Sequence, residues 1–172
     1  MRLWTEVNIN NIGFGLDNRE AAKKSGKKWF PYNKGGEFRK WYGNQQYVVN
    51  WENDGLELNN YKPKAVIRNP TYYFKESVSW SKVTSSYFSL RFYPQGFIFA
   101  DAGMSIFSND TTIIKAILGV MNSPVMNGTT GSLSPTLNFE VGQISNFPIL
   151  NNTIDTAQIK ITENIDQAIN IS

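Results

Sequence analysis

Apolar and polar positions along the chain predict short strands before residue 100 and the clearest helix after it. Alternating or continuous apolar runs favour strands at residues 3–9, 47–51, 72–74, 78–80, 87–92 and 97–99, with a partly extended segment at 141–149. Pro94-Gln95-Gly96 lies between two of these runs and predicts a hairpin. Stretches rich in glycine, proline or small polar residues predict loops at 29–36 and 127–134 and a turn at 53–55.

Three segments have the periodicity or the end signals of helices. The first spans Asn18 to Ser25, with Asp17 as its N-cap and Gly26 as its stop. The second is capped by Asp110, and its expected core positions are Ile114, Ile117, Leu118 and Met121. The third is an amphipathic tail beyond Asn152 that continues to the last residue, so we expect a further C-terminal region after it.

The order of these elements favours an α+β fold, because strands outnumber helices and do not alternate regularly with them. We expect a single compact domain with a mixed, mostly antiparallel sheet flanked by a few helices. A length of 172 residues and a hydrophobic content of 41% suit one domain with its own core.

The composition removes several kinds of chemistry. Without cysteine or histidine the chain has no disulfide, no thiolate, no imidazole base and no zinc site of the usual kind. Carboxylates, lysines and tyrosines remain, and they are a small set for most enzyme classes. No apolar run is long enough to span a membrane, and the first residues lack the apolar region of a secretory signal, so we expect a cytoplasmic protein.

Positive charge is concentrated in one segment. From Arg19 to Lys40 there are eight basic and two acidic residues, a net charge of +6 in a chain whose total is +3. Aromatic residues lie among and beside these cations: Trp29, Phe30, Tyr32, Trp41 and Tyr42. Cations that neutralise phosphates beside rings that stack on bases indicate nucleic-acid binding. The alternative is a solvated helix face next to core aromatics.

Some longer segments are distinctive in their sequence. They are Leu3-Trp4-Thr5-Glu6-Val7 and the runs at residues 28–43, 48–55, 73–80 and 135–142. These segments resemble the PglX family, the adenine-specific DNA methyltransferases of bacteriophage-exclusion (BREX) systems. Residues 118–123 and 144–149 are also similar to target-recognition domains of Type I specificity subunits and Type IIG enzymes. In the PglX family the recognition region follows the methyltransferase core.

The resemblance implies that recognition and catalysis belong to different domains of a longer protein. Residues 1–150 would form a DNA target-recognition domain, and the helix at 151–172 would lead into a missing C-terminal region. The methyltransferase motif Asn-Pro-Pro-Tyr has only a partial counterpart, because Thr71 stands where the second proline would be. No glycine-rich cofactor loop precedes it, so we expect a simple turn there. S-adenosylmethionine is expected in the catalytic domain of the longer protein and no cofactor in this chain.

Two hypotheses about partners follow. The first is double-stranded DNA, with the remainder of the methyltransferase chain beside it. The expected DNA-backbone contacts are Lys27, Lys28, Lys34, Gly35, Gly36, Arg39, Lys40, Trp41 and Tyr42. The expected base contacts are Ser79, Ser81, Lys82, Thr84, Ser85 and Arg91. The second hypothesis is a protein-interaction module that docks the methyltransferase to other subunits of the defence complex.

Overall fold

Two small sheets form the centre of the computed structural model, which describes residues 1–84, 87–133, 138–147 and 158–172. The first sheet has the order β1 (Arg2–Leu3), β3 (Tyr47–Asn50), β2 (Trp29–Asn33), β6 (Ile98–Phe99); its pairs are antiparallel except β2–β6. The second has the order β5 (Arg91–Tyr93), β4 (Ser77–Ser81), β7 (Gly103–Ile106) and is antiparallel throughout. The α+β prediction is confirmed, with two sheets in place of the one expected.

Six α-helices lie in the described ranges. They are α1 (Arg19–Lys24), α2 (Glu52–Asn60), α3 (Thr111–Met121), α4 (Pro124–Leu133), α5 (Val141–Ile144) and α6 (Gln158–Asn170). Short 3₁₀ turns occupy Trp4–Glu6, Ile9–Asn11 and Pro70–Tyr72. The predicted turn at residues 53–55 is present as three consecutive left-handed residues within α2. None of the described helices is both long enough and apolar enough to cross a membrane.

The larger core lies between the second sheet and the C-terminal helices. Val78 and Trp80 of β4 pack with Phe88 and Leu90. On the other side of this core are Ile114, Leu118, Met121, Met126, Phe139, Ile144, Phe147 and Ile165. The Asp110 cap is confirmed, since its carboxylate accepts a hydrogen bond from the Thr112 amide at 2.8 Å. The core positions of α3 are confirmed, except that Ile117 is only half-buried against the same core.

The second core lies against the first sheet and is largely aromatic. Phe30 meets Phe74 edge-on with ring centroids 5.7 Å apart, and Trp51 meets Tyr73 at 5.1 Å. Edge-to-face pairs of this kind add to the free energy of burial, because the positive edge of one ring faces the negative face of the other. This core packs against β2 and β3 and therefore holds both ends of the connection between them.

The loop predicted at residues 29–36 is wrong for its first five positions, which form β2. Pro31 can lie in this strand because its missing N–H is not needed there. The Trp51 amide donates to the Lys28 carbonyl at 3.0 Å, so by the alternation of antiparallel pairs Pro31 lies opposite Val48 in a pair that exchanges no hydrogen bonds. On the other edge β6 joins β2 only from Tyr32 onward.

Several local predictions are also wrong, mostly where tertiary contacts override local signals. Asn18, not Asp17, caps α1 through its side chain. Residues 72–74 end a 3₁₀ turn instead of forming a strand. Of the predicted strand at 3–9 only Leu3 lies in a sheet, as the second residue of β1. The turn at 94–96 links strands of different sheets, so it is not a hairpin. Residues 127–133 and 141–144 are helical, while 134, 148–149 and 152–157 lie outside the described residues.

Candidate nucleic-acid interface

The connection between β2 and β3, residues 34–46, carries the centre of the basic segment, and we call it the basic loop. Its backbone is unusual, because Gly35, Gly36, Trp41, Gly43 and Asn44 all have positive φ. Tryptophan has a steric cost in this region of φ, so the fold must hold it there. The Trp41 amide donates to the Leu90 carbonyl at 3.0 Å, and its carbonyl accepts from the Phe92 amide at 2.7 Å.

A buried hydroxyl fastens the glycine end of the basic loop to the second sheet. Ser81 Oγ donates to the Gly36 carbonyl at 2.7 Å and accepts from the Gly36 amide at 3.0 Å. The same oxygen accepts from Arg91 Nη2 at 3.0 Å. One hydroxyl therefore joins the loop to strands β4 and β5.

A second set of hydrogen bonds fixes the start of the loop. Asn33 Nδ2 donates to Ser79 Oγ at 2.6 Å, and Ser79 Oγ donates to the Met104 carbonyl at 2.7 Å. Asn33 Oδ1 accepts from the Gly35 amide at 3.0 Å. Glycine is required here for space as well, because a Cβ at Gly35 would lie 2.6 Å from the Ala102 carbonyl oxygen. The amides of Gly35 and Gly36 thus point inward, and the prediction that they contact a phosphate is wrong.

Three of the predicted base-contacting residues are interior. Ser79 and Arg91 are 0% exposed, and Ser81 is buried with its hydroxyl fully used. Base contacts by these side chains are excluded in this structure, because none of them has surface to offer a groove. Short hydroxyls beside an arginine have the composition of a DNA-contacting strand, but β4 is covered on both faces. Of the remaining candidates Thr84 is half-buried, and Ser85 lies outside the described residues.

Arg91 is a buried cation without a matching anion. No carboxylate pairs with it among the described residues, and its Nε has no hydrogen-bond partner there. Burial lowers the pKa of Arg91, and burial raises the pKa of the neighbouring Tyr93. Arginine stays charged in proteins. Its charge therefore has no carboxylate partner among the described residues, and it adds positive potential beneath the basic loop.

The exposed cations of the basic loop are Lys34 and Arg39. They line one open cleft of about 490 Å³, together with Gly36, Gly43 and Tyr47. Lys34 Nζ lies 4.7 Å above the Tyr47 ring, which orients the ammonium group without neutralising it. Neither cation forms an ion pair with any residue that the structure describes.

Other members of the basic segment are partly occupied. Lys27 Nζ donates to the Asn10 carbonyl at 2.5 Å, and Lys40 Nζ donates to the Asn122 carbonyl at 2.8 Å. Lys28, Trp41 and Tyr42 are half-buried. The structure thus brings Lys34, Gly35, Gly36 and Arg39 to one cleft, and the other predicted backbone contacts do not line it.

Two further cations are neutralised by carboxylates. Arg19 Nε donates to Asp54 Oδ1 at 2.8 Å, and a second, shorter contact completes a bidentate pair. The hydrogen bond from Arg19 lowers the pKa of Asp54. Lys82 Nζ lies 3.1 Å from Glu140 and 3.6 Å from Asp101, and the hydrogen bond to Glu140 raises the pKa of Lys82. The charge of Lys82 is therefore shared within the protein.

Sequence analysis missed three exposed residues beside this cleft. Phe38 is 41% exposed and Tyr87 is 69% exposed, and both line one small cleft with Glu37. A usable signal was present at Phe38, which stands between Glu37 and Arg39 in a glycine-bearing loop with no apolar periodicity to bury it. Tyr87 gave no such signal, because it begins an apolar run that was predicted to be a strand.

Comparison with known proteins relates this segment to methyltransferases. No family model matches the chain. Over 154 residues, 88% of its length, the chain is 43% identical to the adenine-specific methyltransferase BrxX of Escherichia coli O9:H4 (strain HS). Over 155 residues, 87% of its length, it is 42% identical to the adenine-specific methyltransferase PglX of Lacticaseibacillus casei (strain Zhang). The chain is homologous to one segment of these proteins.

The aligned segments are small parts of those relatives. They amount to 12% of BrxX and 13% of PglX, so the chain spans about an eighth of the length of the curated relatives it matches. The resemblance to PglX-type methyltransferases is confirmed at this level. The recognition role within such a protein stays a prediction.

Proposed function

We propose that the chain is the DNA target-recognition module of a longer adenine-specific DNA methyltransferase that acts in bacteriophage defence. The observation that carries the proposal is the rigidly held basic loop, which presents Lys34 and Arg39 unpaired to solvent in a segment homologous to methyltransferases of this specificity. Duplex DNA supplies the negative charge that these side chains lack inside the protein.

The physical basis of binding is a preformed cationic surface. The loop backbone is fixed by Ser81, Asn33 and the Trp41 pairing, so little chain entropy is lost when DNA binds. Contacts to phosphates set the register of the module on the duplex and do not distinguish sequences. Sequence recognition then requires side chains that reach base edges from the same surface.

In this proposal, methyl transfer and S-adenosylmethionine belong to another part of the longer protein. The Gly35–Gly36 amides are occupied inside the fold and do not offer a cofactor loop. The segment Asn69-Pro70-Thr71-Tyr72 forms a 3₁₀ turn, and the Tyr72 ring packs on Phe107 with centroids 5.0 Å apart. The Tyr72 ring thus makes a contact within the fold and is 45% exposed.

The alternative, docking of other defence-complex subunits through the terminal helix, has less support. Ile165 of α6 is buried in the larger core and Ile169 packs against it. At these two positions the apolar face of the helix is thus used within the chain.

The test is a salt titration of DNA binding by fluorescence anisotropy on a labelled duplex. Replacing Lys34 and Arg39 with alanine removes about two phosphate contacts, so the slope of log affinity against log salt should become shallower by about 1.8. The double variant Lys62→Ala/Lys64→Ala removes the same charge from exposed positions outside the basic segment and should keep the wild-type slope. Equal slopes for the wild type and the Lys34/Arg39 variant would contradict the proposal, as would a wild-type chain that does not bind.

A further inference from the structure

Three exposed side chains meet at the edge of the basic loop. Glu37 and Phe38 come from the loop itself, and Tyr87 comes from the segment that leads into β5; together they line one small cleft. Glu37 also lines the two larger clefts on either side, each of which contains Lys34. We call these three residues the cleft-edge cluster.

The fold presents the cleft-edge cluster from fixed backbone. Next to Tyr87, Phe88 and Leu90 are buried in the larger core. On the loop side, the Glu37 carbonyl accepts from Asn44 Nδ2 at 2.8 Å. Phe38 and Tyr87 are thus 41% and 69% exposed on a backbone that is held in place, and a partner that covers them would release the water over their exposed surface.

Glu37 is the acidic member of the cleft-edge cluster. Among the described residues its carboxylate has neither an ion pair nor a hydrogen bond, although Lys34 and Arg39 flank it in the sequence. A free carboxylate repels phosphates, so it weakens a surface that binds only the DNA backbone. It is a good acceptor for the exocyclic amino groups that cytosine and adenine display in the major groove.

We infer that the cleft-edge cluster is the base-contact site of this module on double-stranded DNA. Glu37 accepts a hydrogen bond from the amino group of a cytosine or an adenine, while Phe38 and Tyr87 pack against the neighbouring bases. The inference rests on the proposed function, since Lys34 and Arg39 must first hold the duplex against the loop. The flanking cations identify the occupant, because a neutral apolar partner would leave them desolvated without an anion.

The test is selection of duplexes from a pool with randomised positions, followed by sequencing of the bound fraction. Glu37→Ala should reduce the enrichment of cytosine or adenine at one position by about tenfold, the discrimination expected from one good base contact. Its affinity for the unselected pool should be unchanged or higher, because a repulsive charge is gone. Glu163→Ala, an exposed carboxylate on α6, is the matched control and should select as the wild type does.

Two more variants separate base contacts from backbone contacts. Phe38→Ala/Tyr87→Ala should lower the enrichment of selected sequences, with only a small fall in the thermal midpoint, because Tyr87 is 69% exposed and Phe38 is 41% exposed. Lys34→Ala/Arg39→Ala should weaken all duplexes alike and select the same sequences as the wild type. If Glu37→Ala selects the wild-type sequences with wild-type enrichment, the inference is refuted while DNA binding stands. If the wild type does not bind the pool, the proposed function fails and the inference with it.

Discussion

Replacing Ser81 with alanine should destabilise the fold more than the loss of one surface hydroxyl would. The bond from Arg91 to Ser81 Oγ involves a charged, fully buried donor, and such bonds contribute about 1.5–3 kcal/mol. The two bonds to Gly36 are neutral, and water replaces them in part because Gly36 is exposed, so about 0.5 kcal/mol is lost from each. We expect a total loss of about 2.5–4 kcal/mol in the free energy of unfolding.

Urea unfolding followed by tryptophan fluorescence measures this loss, since Trp80 is buried one residue away from Ser81. The matched control is Ser105→Ala in the neighbouring strand β7, where the hydroxyl makes one bond, to the Gly103 carbonyl at 3.2 Å. That variant should lose about 1 kcal/mol or less. If Ser81→Ala and Ser105→Ala are equally stable, the hydrogen bonds of Ser81 do not stabilise the basic loop. DNA affinity should fall in Ser81→Ala with an unchanged salt slope, because Lys34 and Arg39, the proposed phosphate contacts, remain.

Two further predictions concern stability. Leu118 is 0% exposed in the larger core, so Leu118→Ala should lower the free energy of unfolding by about 2–5 kcal/mol. The control Val125→Ala, at a position that is 77% exposed, should leave the midpoint of urea unfolding nearly unchanged. Equal midpoints for the two variants would show that α3 packs differently. Arg19 lowers the pKa of Asp54, so the stabilisation from this ion pair is present above the ordinary pKa of 3.8 and is lost as the pH falls through the lower folded value. Asp54→Asn, in which asparagine tolerates the left-handed backbone, should therefore be about 0.5–1 kcal/mol less stable than the wild type at pH 7 and equally stable below pH 3. A difference in stability that does not change with pH would contradict the ion pair.

The fold could be predicted from the sequence where local and tertiary signals agree. The helix after Asp110 has a cap, an apolar face and a following proline, and all of these are present in the structure. The strand at Trp29–Asn33 could not be predicted, because Pro31 is a local signal against a strand. Only the pairing with β3, which leaves the proline opposite a non-bonded position, shows why it is tolerated. The helix over residues 124–133 was missed because its glycines favour a loop.

The positive charge of the candidate site could be predicted from the sequence, but the orientation of its backbone groups could not. The basic segment was visible by counting, and the prominence of Lys34 and Arg39 followed from it. The inward direction of the Gly35 and Gly36 amides could not be inferred, because it depends on Asn33 and on Ser81 from a different sheet. The composition of a strand does not show whether a serine on it faces a DNA groove or the basic loop.

The burial of Ser79, Ser81 and Arg91 changes what mutations of this surface should do. These residues act on the position of the basic loop, so their loss should lower both the free energy of unfolding and the affinity for DNA, with the salt slope intact. Lys34 and Arg39 are exposed and unpaired among the described residues, so their loss should change the salt slope and leave unfolding alone. In the proposed function, the buried group sets the position of the basic loop, while Lys34 and Arg39, which belong to that loop, set how strongly phosphates are held. Arg91 belongs to the buried group although it is a cation, because it is 0% exposed and would act on the proposed DNA partner only through the potential that it adds beneath the loop.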